Sequence, residues 1–135
     1  MNKKGFTLIE LLAVIIILAV IALIATPIVL DVINDARLKS AESSVNGYLS
    51  AIDNARYEYI LDNNGAEPTF ANLTGDYAPQ MKGETVTCTN PSLSNGTFTA
   101  DKCSTMNGDT AKYTCQIVNG LATNCAAGAS YATSN

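Results

Sequence analysis

Two sets of residues in this chain have the types and spacing to do chemistry. The first is a junction near the start: Lys3-Lys4-Gly5, then Phe6-Thr7-Leu8-Ile9-Glu10. Beyond it, Leu11 to Leu30 form an uncharged run of 20 residues, nearly all Leu, Ile, Val and Ala. Glu10 is therefore a carboxylate at the edge of an apolar span. A charge inside such a span costs about 2.5–3.5 kcal/mol at mid-membrane and less near the interface. It needs a partner, and no cation lies within the run. Hydrolysis of the peptide bond after Gly5 would supply one. Phe6 would then carry a free amine one helical turn from Glu10, able to meet that carboxylate or the Glu10 of a neighbouring helix.

The second set is the four cysteines Cys88, Cys103, Cys115 and Cys125, spaced by 15, 12 and 10. No Cys-x-x-Cys occurs, which argues against zinc and thioredoxin-like chemistry. An even number in a small exported region reads as two disulfides, with four free buried thiols as the alternative. Asn119-Gly120 between Lys112–Val118 and Leu121–Cys125 is a strong hairpin signal. With a two-residue turn Cys115 faces Asn124 and Cys125 faces Thr114, so the two point to opposite sides of the sheet. A bond between them needs a bulge or another turn. This leaves Cys88 to pair with Cys115 or Cys125.

The elements that position these residues follow from periodicity. The uncharged run makes a helix of roughly 30 Å, enough to cross a hydrocarbon core. Its lack of any polar face requires lipid or other helices around it. It is too long for a secretory h-region and lacks a small residue at the −3 position, Leu23, of a cut before Thr26. Pro27 removes a backbone bond and is expected to kink the helix. Further on, Leu38, Ala41, Val45, Tyr48, Ile52, Ala55 and Tyr59 form one apolar stripe at steps of 3 and 4. The small and aromatic residues on it favour packing on a sheet over a coiled coil. Asn63-Asn64-Gly65 stops the helix, which is expected over Phe6–Asp62. Residues 63–84 read as a loop, 85–89, 97–99, 112–118 and 121–125 as strands, and 126–135 as a loose tail.

Lys-Lys-Gly-Phe-Thr-Leu-Ile-Glu-Leu-Leu resembles the N-terminal signature of type IV pilins and pseudopilins, closely over residues 3 to about 30, and Pro27 sits where that family commonly has a proline. The resemblance implies cleavage after Gly5 by a prepilin peptidase, N-methylation of Phe6, and roles for Phe6, Glu10 and Pro27 in assembly. It also implies a cytoplasmic-membrane precursor with its N-terminus inside, a helical homo-oligomer at the cell surface, and a pilus assembly machinery as partner. A pseudopilin of a type II secretion or competence machine, or a minor pilin with an adhesive head, shares the same N-terminus.

Composition narrows the rest. The 135 residues carry 8 Lys and Arg against 12 Asp and Glu, a net charge of −4 that becomes −6 once Lys3 and Lys4 are removed. An acidic chain argues against direct nucleic-acid binding. The absence of histidine removes the usual general base and neutral metal ligand. No catalytic constellation, metal site or cofactor motif is present, so a non-enzymatic role is expected. The expected architecture is α+β: a leader (1–5), a transmembrane and assembly helix (6–30), an amphipathic helical half (31–62), and a loop with an antiparallel β head (63–135).

Overall fold

The structure is a computed structural model and describes residues 4–108 and 110–128. One helix, α1 (Leu8–Asp62), is followed by two short 3₁₀ turns, Phe70–Asn72 and Gly75–Tyr77. Six strands come next: β1 (Thr85–Thr89), β2 (Ser92–Ser94), β3 (Thr97–Thr99), β4 (Lys102–Asn107), β5 (Thr110–Val118) and β6 (Leu121–Ala127). The order β1-β4-β5-β6 makes one antiparallel sheet, and β2-β3 form a separate hairpin. The chain divides into two units, Met1–Ala36 and Arg37–Asn135.

In the first unit α1 starts at Leu8 rather than at Phe6, because Thr7 caps it. The helix continues through Pro27. Next to that missing donor, the Thr26 hydroxyl donates to the Ala22 carbonyl at 2.6 Å. No residue of Leu8–Ala36 is buried.

In the second unit the apolar stripe does what its spacing demands. Ala41, Val45, Ile52 and Ala55 are buried, together with Leu49 and Ala51, while Leu38, Tyr48 and Tyr59 are half-buried. Val45, Leu49, Ile52 and Ala55 pack with Leu73, Val86, Leu93, Phe98, Cys103, Cys115 and Ala122 in one core. Full burial of a side chain such as Ile52 stabilises by roughly 1.5–3 kcal/mol. Asn46, beside the stripe, accepts a hydrogen bond from the Ala122 N–H at 2.8 Å and ties α1 to β6. The helix ends as Asn64 and Gly65 turn to positive φ, 54° and 86°. The Gly65 N–H donates back to the Ile60 carbonyl at 2.8 Å, which closes the last turn.

The expected strands at 85–89 and 97–99 match β1 and β3, and the two around Asn119-Gly120 match β5 and β6. Two-residue turns close both hairpins, Asn95-Gly96 between Ser94 and Thr97 and Asn119-Gly120 between Val118 and Leu121, all four residues at positive φ. The strands β2 and β4 are additions. β4 carries a polar residue, Thr105, on its buried side, and this hides the usual apolar alternation. The 63–84 loop contains two 3₁₀ turns, and Ala126 and Ala127 complete β6. The rest of the expected tail lies outside the described residues, except Gly128, whose N–H donates to the Lys112 carbonyl at 2.9 Å.

The cysteine pairing differs from the sequence-based expectation. The bonds are Cys88–Cys103 and Cys115–Cys125, and Cys88 pairs with neither Cys115 nor Cys125. A bulge is the reason. Gln116 faces Thr123 and Thr114 faces Ala126, so Cys115 stands opposite two residues, Asn124 and Cys125. Asn124 absorbs the extra step at φ 49°, and Cys125 is thereby turned to the side of Cys115. Cys88 and Cys103 are direct cross-strand partners, as are Cys103 and Cys115, so the four cysteines form one row across the sheet. In an antiparallel ladder a central residue alternates between a close pair on one side and a wider, hydrogen-bonded pair on the other. The bonded pairs have Cα atoms 4.0 Å apart and are of the close kind. Cys103 and Cys115 then form the wider pair, and they remain unbonded to each other.

Candidate functional site

The residues singled out at the N-terminus lie where α1 begins. Phe6 is 91% exposed and stands just outside the helix. Thr7 is the cap. Its backbone N–H and its hydroxyl donate to Glu10 Oε2 at 2.9 and 3.0 Å, and the Glu10 N–H donates to Thr7 Oγ1 at 3.3 Å. The Leu11 N–H closes the first turn on the Thr7 carbonyl at 3.2 Å. This is a capping box: the cap side chain serves the third helical residue, and that residue's carboxylate serves the cap. The Thr-x-x-Glu pattern signals it in the sequence, and reasoning on charge alone passes over it.

The capping box changes the electrostatic account of Glu10. Its carboxylate already accepts two hydrogen bonds and sits at the positive end of the helix dipole. Both donors belong to Thr7, so the arrangement does not depend on the bond between Gly5 and Phe6. The Phe6 nitrogen stands one residue before the cap. Around Glu10 the surface is apolar: Leu11, Val14, Ile15 and Ile17 are each more than half exposed. The helix is long and apolar enough to cross a membrane. Pro27 belongs to the same unit, several turns from the cap, and no contact joins it to Phe6 or Glu10.

Residues 1–26 match the family model for the prokaryotic N-terminal methylation motif. Comparison with curated proteins and with solved structures finds no match. The chain thus carries, at its N-terminus, the signature of type IV pilins and pseudopilins, on a long apolar helix followed by a small α+β head.

The head has no comparable chemical centre among the described residues. Among the described residues no cluster of His, Cys, Asp or Glu is arranged to hold a metal. The polar contacts fasten its loops. Arg56 makes two hydrogen bonds to Glu67, at 2.8 and 2.5 Å, and holds that carboxyl below its ordinary range. Gly96 lets the β2-β3 turn come close to Arg56, since a Cβ there would stand 2.6 Å from the guanidinium. Lys112 pairs with Glu84 at 2.6 Å, and its ammonium is held above the usual lysine range. Tyr77 donates to Asp62 at 3.1 Å, which raises the phenol. Asn90 Nδ2 donates to Asp101 at 2.6 Å, and the Asp101 N–H donates to the Thr89 carbonyl at 3.0 Å; together these close the neck of the β2-β3 excursion.

Proposed function

We propose that the chain is the structural subunit of a type IV pilus-like surface filament, cut after Gly5 by a prepilin peptidase and methylated on Phe6. The observation that supports this best is the methylation motif at the head of a helix that buries no residue over Leu8–Ala36. A surface so apolar is stable in lipid before assembly and among identical helices afterwards, so transfer between the two keeps it from water. Ala13, Ala19, Ala22 and Ala25 allow close helix approach. In the assembled state the Phe6 amine of one subunit adds a charge-assisted bond to a neighbour's Glu10, already oriented by Thr7, and sets the axial register. The role is structural, with no catalytic step and no cofactor. The precursor sits in the cytoplasmic membrane with its leader inside, and the filament stands at the cell surface.

N-terminal mass spectrometry of exported protein, beside sheared-filament yield, tests the reading. A chain beginning at methylated Phe6 and recovered in filaments is the expected result. A start at Met1 or near Pro27 sinks it. Correct processing without surface filaments points to a pseudopilin of a secretion or competence machine.

A further inference from the structure

Within Arg37–Gly128 the exposed large apolar side chains fall into two pairs, Tyr57 with Leu61 and Val118 with Leu121. The pairs differ in shape and charge. Val118 and Leu121 face each other across the two-residue turn of the β5-β6 hairpin, so they form a projecting tip. They lie on the sheet face turned away from Cys103 and Cys115, the face that also carries Lys102, paired in register with Gln116 two residues before Val118. Leu61 instead lines a hollow of about 260 Å³ with Tyr77, Glu58, Asp62 and Asp76. Tyr77 is fixed there by its bond to Asp62 and by an edge-on contact with Tyr59 at 5.1 Å. Leu61 and Tyr77 stand there among three carboxylates, with no cation among the lining residues.

We infer that the Val118–Leu121 hairpin tip of one copy of this chain docks into the Leu61–Tyr77 hollow of another, with Lys102 meeting the Glu58, Asp62 and Asp76 carboxylates. A chain cannot satisfy its own hollow. The hairpin is anchored at Asn46 through Ala122, and Glu58 lies twelve residues further along α1, about 18 Å away. Tip and hollow are unlike surfaces, so the contact is heterologous and propagates from copy to copy without closing on itself, as an open helical polymer requires. The carboxylate of Asp101, next to Lys102, keeps its charge but is held by Asn90 at the neck of the β2-β3 excursion. This inference rests on the filament reading and adds a head-to-head contact to the helical core.

Two experiments on the full chain in assembling cells test it. A photo-crosslinking residue at Leu121 should give an adduct of twice the subunit mass, joined to the peptide that carries Glu58 and Leu61 or to the one that carries Asp76 and Tyr77. An adduct elsewhere on the chain, or to a different polypeptide, overturns the inference. Lys102→Glu and Glu58→Lys should each lower sheared-filament yield by roughly three- to tenfold, and the double variant should restore it. Restoration also shows that the single variants fold. If filaments form and neither reversal changes their yield, the head contact is wrong while the filament reading stands. If the unaltered chain is processed yet forms no filament, the filament reading fails, and this contact with it.

Discussion

The two units of this chain use the same aliphatic residues to opposite ends. Ile15, Ile16, Ile17 and Ile21 are each more than half exposed, whereas Ile52, on the same helix, is fully buried. Around Ile52 the sequence supplies a sheet, a hairpin and two disulfides to cover one stripe of α1. Around Ile17 it supplies nothing, and the apolar surface runs all round. A one-sided stripe says that the partner is elsewhere in the same chain. An apolar surface without a polar face says that the partner is lipid or another copy. The comparison thus separates residues that stabilise a fold from residues left uncovered among the described residues.

The strongest way to break this comparison is at Glu10. Glu10→Ala should leave membrane insertion unchanged or slightly easier, because it removes a costly charge. Filaments should be lost, since the Phe6 amine then enters an apolar core unpaired, a penalty of about 3–5 kcal/mol. Processed monomer should accumulate in a membrane-fraction blot, and wild-type filament yield would falsify the pairing. Thr7→Val, which removes only the hydroxyl of the cap, should show a weaker form of the same defect.

Next in size is the contrast between isoleucines. Ile52→Ala should destabilise the head by about 2–5 kcal/mol, through lost transfer energy and the cavity left behind. Ile17→Ala should leave the melting of the detergent-solubilised monomer within about 0.5 kcal/mol of the original. Equal losses at the two positions, measured by thermal unfolding, would erase the distinction between the units.

The disulfides come third. Replacing both Cys115 and Cys125 by Ser should cost about 2–3 kcal/mol in the loop-entropy model, and Cys88 with Cys103 should behave alike. Peptide mapping under non-reducing conditions should return the pairs Cys88–Cys103 and Cys115–Cys125. A Cys103–Cys115 peptide would contradict the alternation of close and wide pairs.

The smallest effects concern polar groups. Thr105 is fully buried and its hydroxyl has no partner among the described residues, so Thr105→Val should raise head stability by about 1 kcal/mol. The Arg56–Glu67 pair fixes a sign. Its carboxyl is held below its ordinary range, so its contribution is present above that range and lost as pH falls through and below it. Glu67→Gln should flatten the acid limb of the unfolding curve slightly and lower neutral-pH stability by only a small amount, because the Glu67 side chain is half exposed.

Much of the architecture is legible in the order of residues. The uncharged run, the stripe from Leu38 to Tyr59, the Asn63-Asn64-Gly65 stop and the Asn-Gly turn at 119–120 are local signals, each set by neighbours within a few positions. The Gly5-Phe6…Glu10 junction is equally local, and the methylation motif at residues 1–26 matches on that ground. The capping box was legible too, since Thr7 and Glu10 stand at the required spacing. β4 was not, because its inward Thr105 gives no apolar alternation and its place between β1 and β5 depends on pairing with distant strands.

The sequence by itself determined that one helix would be apolar all round and then one-sided, because helical periodicity is written within a few turns. It also determined that a hairpin would place Cys115 near Cys125. Only the tertiary structure decided that they bond. Strand faces alternate with a period of two, so one extra residue at Asn124 reverses the inference drawn from counting. Whether a bulge forms there depends on how β5 and β6 register while Asn46 of α1 holds Ala122, a contact 76 residues apart in the chain. Local spacing carries no record of that choice.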